Sequence, residues 1–126
     1  MDKILVAEDS FALANLLEFV LSNAGFDVTL CRTGSAAWEA AQQQKFDLLL
    51  LDQQMPGMTG VEVLTAVRGQ SPNEETTAFL CTAKTHELDL QTLHKTLNIT
   101  GVFHKPFSPK DLVENLKQQL QVSAAN

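Results

Sequence analysis

Residues 46–60 read Phe-Asp-Leu-Leu-Leu-Leu-Asp-Gln-Gln-Met-Pro-Gly-Met-Thr-Gly. The run from Phe46 to Leu51 lacks the polar alternation of a strand that is wet on one face. It therefore reads as a strand buried on both faces, as in a parallel sheet covered by helices. Asp52 ends the run, and Met55-Pro56-Gly57 turns the chain directly behind it. A buried strand does not need that carboxylate, and water solvates it better. Asp52 is either a turn residue or a group held at a strand tip for chemistry, and the rest of the chain has to decide.

Working outward, apolar runs alternate with helical patterns. Ile4 to Ala7 predicts a strand ending at Glu8-Asp9. Ser10 is placed to cap a helix carrying Leu13, Leu16, Leu17, Val20 and Leu21, and Gly25 is placed to stop it. Phe26 to Leu30 is β-prone, and Thr33-Gly34-Ser35 opens a second helix that includes Trp38, a packing anchor. Gly60 to Arg68 predicts a third helix, and Gly69 to Glu75 a polar loop. Thr77 to Cys81 predicts a strand, followed by Thr82-Ala83-Lys84. His86 to Asn98 predicts a helix with Leu90, Leu93 and Leu97 on one face, and His86 and His94 solvated. Gly101 to His104 is the last strand. After Lys105-Pro106-Phe107, Ser108 caps a final helix with Pro109 at its first position. Five β/α units in series imply a mostly parallel sheet with helices on both faces and right-handed crossovers. The organisation expected is one domain over residues 1–121 and a short polar tail over 122–126.

Composition narrows the function classes. The chain has 126 residues, 44% apolar and 19% charged, with a net charge of -6. One globular domain is expected, and the negative balance argues against nucleic acid or an anionic membrane as a direct partner. Met1 to Leu5 enters a strand at once without a signal-peptide layout, and no apolar run is long enough to span a bilayer, so a cytoplasmic location is expected. Cys31 and Cys81 form no metal spacing with His86, His94 or His104 and read as free buried thiols.

In an open parallel sheet, ligands bind beyond the carboxyl ends of the strands. Four strands end there in Glu8-Asp9, Asp52, Thr82 and Lys105. A lone Asp after a strand is a common turn residue, but three acids, a hydroxyl and an amine on one edge form a coherent set. Carboxylates held close repel unless a cation sits among them, and hard oxygen donors suit Mg²⁺, for which Mn²⁺ is a substitute. An Asp carboxylate can act as a nucleophile and form an aspartyl phosphate, with Thr82 and Lys105 placed to meet phosphoryl oxygens.

At these residues the chain resembles the receiver domain of bacterial two-component response regulators, such as the chemotaxis response regulator. Glu8-Asp9, the segment Leu51 to Gly60, Thr82-Ala83 and Lys105-Pro106-Phe107 stand in family order. The resemblance covers about Asp2 to Leu120. It implies a flavodoxin-like (βα)5 doubly wound fold with strand order 2-1-3-4-5, helices 1 and 5 on one face and 2, 3 and 4 on the other. It implies that Asp52 is the phosphorylated aspartate. Glu8, Asp9, Asp52 and the main-chain carbonyl of Gln54 would bind Mg²⁺. Thr82 and Lys105 would contact the phosphoryl group, with Ala83 a further binding position, and Lys105-Pro106 would be a cis peptide. It implies a histidine kinase or histidine phosphotransfer protein as donor. Output would run through helix 4, strand 5 and helix 5 to a protein target or a linked output domain, with a phosphorylation-dependent homodimer as one form. A free-standing regulator and the N-terminal part of a longer protein both fit. In the implied strand order Cys31 and Cys81 lie three strand spacings apart, roughly 14 Å, which excludes a disulfide.

Two features depart from or vary within the family. The aromatic residue expected three positions before the lysine is Val102, while strand alternation sends Phe103 to the opposite face. Gln54 and Lys84 lie two residues beyond Asp52 and Thr82, where hydrolysis is tuned, and predict slow self-dephosphorylation. Three other readings are weighed. A haloacid-dehalogenase-type hydrolase wants an acid where Gln54 stands. A flavodoxin wants a phosphate loop where Glu8-Asp9-Ser10-Phe11 stands. A receiver-like module that binds partners without a switch is motivated by Val102 and opposed by the intact acid, threonine and lysine positions. The domain is expected to catalyse only its own phosphorylation and slow dephosphorylation.

Overall fold

The computed structural model describes residues 2–83 and 88–125. The elements are β1 (Lys3–Ala7), α1 (Phe11–Asn23), β2 (Asp27–Cys31), α2 (Gly34–Gln43), β3 (Leu48–Asp52), α3 (Gly60–Gly69), β4 (Thr77–Ala83), α4 (Leu90–Leu97), β5 (Gly101–Lys105) and α5 (Pro109–Ala125). The strands form one parallel sheet in the order β2-β1-β3-β4-β5.

The leucine run explains why the sheet has two covered faces. Leu49 and Leu51 pack with Ala37 of α2, Val63 and Leu64 of α3 and Leu93 of α4. Leu48 and Leu50 point the other way, into Leu17 and Leu21 of α1 and Leu112 and Leu116 of α5. All four leucines are buried, each contributing roughly 2 kcal/mol by removal from water. The two cysteines follow the same alternation: Cys31 and Cys81 are free, buried and in the cores of opposite faces.

Several boundaries differ from the sequence reading, each for a local reason. Phe46 precedes β3, because its N–H donates to the Asn73 side chain at 2.7 Å instead of joining the ladder. Asp52, Thr82 and Lys105 lie inside their strands, which run one or two residues further than expected. α4 starts at Leu90, because the Asp89 carboxylate accepts the Thr92 N–H at 3.1 Å as its cap. Leu90 is 41% exposed, and Leu88 packs on the core instead. Leu16 is also 41% exposed, outside the buried stripe of Ala14, Leu17 and Leu21. Ser10 stands at the N-cap of α1 but its hydroxyl makes no capping bond. Thr33 does cap α2, Ser108 accepts from Asp111 N–H at 3.3 Å, and Gly25 follows α1 with φ +98°. α5 continues to Ala125, through the stretch read as a tail. His86, Lys84 and Glu87 lie outside the described residues. No helix among the described residues is long and apolar enough to cross a membrane.

Candidate functional site

The C-terminal ends of β1, β3, β4 and β5 bring the predicted residues to one edge. Glu8 follows β1 and is fixed there by its N–H bond to the Cys31 carbonyl at 3.0 Å. Asp52 closes β3, and the next residue, Gln53, donates its N–H to the Cys81 carbonyl of β4 at 2.8 Å. Lys105 closes β5 opposite Ala83 and is joined to Pro106 by a cis peptide. Its Nζ lies 3.0 Å from Glu8 Oε1 and 3.1 Å from Asp52 Oδ2. One ammonium therefore bridges two carboxylates that are 1% and 2% exposed.

Asp9 completes an acidic triad. Glu8, Asp9 and Asp52 each offer a carboxylate oxygen within 4.8 Å of the others. Three carboxylates against one bridging ammonium leave a surplus of negative charge. The Asp52 carboxyl is pushed up from 3.8 to about 6, first by burial and then by Glu8, against the opposing pull of Lys105. Burial pulls the Lys105 ammonium down, but its bonds to Glu8 and Asp52 outweigh this and leave it above its ordinary value. This donor set fits a hard divalent cation, which would relieve the surplus.

Thr82 is fully buried, and its hydroxyl oxygen has no hydrogen-bond partner among the described residues. An unsatisfied buried hydroxyl costs about 1–3 kcal/mol. Ala83 is half-buried next to it. Gln54 is exposed, and its N–H points toward Asp52 Oδ1 at 3.5 Å. His104 is exposed. Val102 packs on the α2–α4 side of the sheet. Phe103 packs on the opposite side, stacked on Phe79 with ring centroids 5.1 Å apart.

The sequence reading missed three supports. Gln53 is buried, and its side-chain oxygen accepts the Val61 N–H at 2.9 Å, while its carbonyl accepts from Gly60 at 3.2 Å. It thereby joins the acceptor strand to the start of α3. Gly34 lies so close to the turn after Asp52 that a Cβ there would run into the Met58 carbonyl oxygen. Arg32 reaches the carbonyl of Asp9. None has a local sequence signal, since each acts on backbone brought near only by folding.

The sequence profile of the response regulator receiver domain matches residues 4–117. The DNA-binding response regulator MtrA of Mycolicibacterium paratuberculosis is 34% identical over 119 residues, which are 94% of this chain and 51% of that protein. The chain thus spans about half the length of the curated relatives it matches. The chemotaxis protein CheY4 of Vibrio cholerae superposes with a TM-score of 0.83 at 31% identity, covering 94% of this chain and 98% of that one. The receiver domain of a Pseudomonas aeruginosa sensor histidine kinase, crystallised with magnesium coordinated in its active-site cleft, shares the fold. Its TM-score is 0.83 at 24% identity, covering 95% of this chain and 98% of that one.

Proposed function

The chain belongs to the response regulator receiver domain family of two-component signalling, and on that premise we propose that Asp52 is its phosphoryl acceptor. The observation that carries this is the meeting of Lys105 Nζ with Asp52 Oδ2 at 3.1 Å inside the acidic triad. A receiver domain is a phosphoacceptor signalling domain and not a turnover enzyme. Here an Asp52 oxygen would attack the phosphorus of a phosphohistidine. The P–O bond forms as the P–N bond breaks, the imidazole leaves with the electron pair, and an aspartyl phosphate results. With its carboxyl at about 6, Asp52 is mostly ionised at neutral pH and available as the nucleophile.

Each neighbour then has a task. Lys105 pairs with the incoming phosphoryl oxygens as Asp52 gives up its negative oxygen. The Thr82 hydroxyl donates to another phosphoryl oxygen and so gains its missing partner. Glu8, Asp9, Asp52 and the Gln54 carbonyl would hold Mg²⁺, which supplies charge neutralisation when bound. Ala83 borders the same space. Gln54 and Lys84 would slow hydrolysis of the product. The donor is a histidine kinase or phosphotransfer protein. Output runs through α4, β5 and α5 to a protein target or a linked output domain, with homodimerisation as one form of it. The receiver unit spans residues 1–121 and works in the cytoplasm.

The test is intact mass after incubation with a small phosphodonor and Mg²⁺. Wild type gains one phosphoryl group and Asp52→Asn gains none. A wild type that binds Mg²⁺ yet stays unmodified overturns the proposal.

A further inference from the structure

We propose that Arg32 is a positioning residue for the acidic site, holding the Asp9–Phe11 segment so that the Asp9 carboxylate faces Glu8 and Asp52. The inference rests on reading those three acids as the metal site. Arg32 is the first residue after β2. Its Nη2 donates to the Asp9 carbonyl oxygen at 2.9 Å, and its guanidinium carbon lies 5.2 Å from the centre of the Phe11 ring. One side chain thus grips the chain on both sides of Ser10. The grip is needed because Ser10 makes no side-chain cap for α1. The other side-chain support of this turn is the Glu8 carboxylate, which accepts the Ser10 N–H at 3.0 Å while also pairing with Lys105. That carboxylate is shared among tasks, whereas Arg32 forms no ion pair among the described residues. The contact also accounts for Phe11, which is 69% exposed and otherwise an unexplained ring at the surface.

Charge and position predict opposite outcomes, which makes the role testable. A cation near three carboxylates weakens binding of a second cation, so loss of a mere electrostatic neighbour would tighten Mg²⁺. Loss of a positioning group weakens it, by about tenfold as for outer groups that orient metal ligands. The experiment is calorimetric titration of metal-free protein with Mg²⁺ for wild type, Arg32→Ala, Arg32→Lys and Phe11→Ala. Amide hydrogen exchange over residues 10–13 is followed without metal. Arg32→Ala is expected to bind Mg²⁺ about tenfold more weakly and to exchange faster over residues 10–13. Arg32→Lys restores part of both, and Phe11→Ala loses less than Arg32→Ala. Unchanged or tighter Mg²⁺ binding in Arg32→Ala, with unchanged exchange, overturns the inference. If wild type itself binds no Mg²⁺, the metal-site reading fails instead, and faster exchange at residues 10–13 still supports the grip while unchanged exchange refutes it.

Discussion

Replacing Asp52 with Asn is expected to stabilise the metal-free protein at neutral pH. The carboxyl is 2% exposed and sits at about 6 instead of 3.8, with burial the larger cause and Glu8 the next. A group whose folded value lies above its unfolded one contributes stability that is complete below the unfolded value. That contribution is lost as pH rises through the folded value. For Asp52 the loss starts near pH 4 and is complete above about pH 6. Its size follows from the distance between 3.8 and about 6 at ~1.4 kcal/mol per pH unit, or about 3 kcal/mol. Asn keeps the shape and never carries the charge, while Lys105 retains Glu8 at 3.0 Å. In EDTA, urea unfolding from pH 4 to 8 should therefore show the two proteins equally stable at the acid end. The variant should lead by about 3 kcal/mol above neutrality, roughly 11 °C in Tm for a chain of this size. Added Mg²⁺ should narrow the gap, because wild type keeps the ligand that the variant lacks. A gap that is independent of pH, or a variant less stable than wild type in EDTA at pH 8, would refute the reasoning. The first result would mean that the carboxyl is not shifted on folding, the second that the Lys105 pair outweighs burial and repulsion.

Two further outcomes concern supports outside the acids. Asn73 is fully buried, accepts from Phe46 N–H and donates to the carbonyls of Ala41 and Gln44. Asn73→Ala should cost about 3 kcal/mol in denaturant unfolding, because it strands one donor and two acceptors. Asn73→Asp should be worse at pH 7, since it sets an anion against two carbonyl oxygens, and an Asp variant as stable as wild type would exclude this role. Gly34→Ala should cost about 1–3 kcal/mol and slow phosphorylation from a small donor, because its Cβ runs into the Met58 backbone that shapes the turn behind Asp52. An unchanged melting temperature and rate would show that α2 can back away freely.

What could be read in the sequence, and what could not, divides along one physical line. The β/α succession and the acids were legible because each acid interrupts or follows an apolar run, and a charge at the end of a buried strand is anomalous by itself. The core faces of β3 were legible from Leu48 to Leu51 alone. Asn73, Gln53, Gly34 and Arg32 were not, because their partners are backbone atoms of other segments, and a polar loop residue looks the same whether it is solvated or holds two segments together. Periodicity also overcounted the buried leucines. Leu16 and Leu90 fit the helical spacing, yet both are exposed, because spacing defines a face of a helix and only the neighbouring elements define how wide a stripe they cover. β3 also runs one residue beyond its apolar pattern, because the ladder to β4 includes Asp52.

The same alternation constrains how an aspartyl phosphate would be read out under the proposed function. Thr82 is registered beside His104, and Leu80 beside Val102, so a movement of the Thr82 hydroxyl toward a phosphoryl oxygen is felt on the α2–α4 side of the sheet. No phenylalanine of β5 stands on that side, and the His104 ring there is already exposed. Phe103 is committed to the opposite core, between Phe79 at 5.1 Å and Phe107 at 6.0 Å. A β-branched valine has one torsion and little reach, so Val102 cannot exchange an exposed for a buried ring. Under that function the response is expected in the placement of α4, which packs on that side through Leu93 and Leu97. The far end of that helix is held by Arg68, which donates to the Leu97 carbonyl at 2.8 Å and the Asn98 carbonyl at 3.4 Å, and to the Asn73 and Glu74 carbonyls at 3.1 Å. With its C-terminal end tied to α3 and the loop after it, α4 is expected to answer Thr82 at its start, near the Asp89 cap and the exposed Leu90.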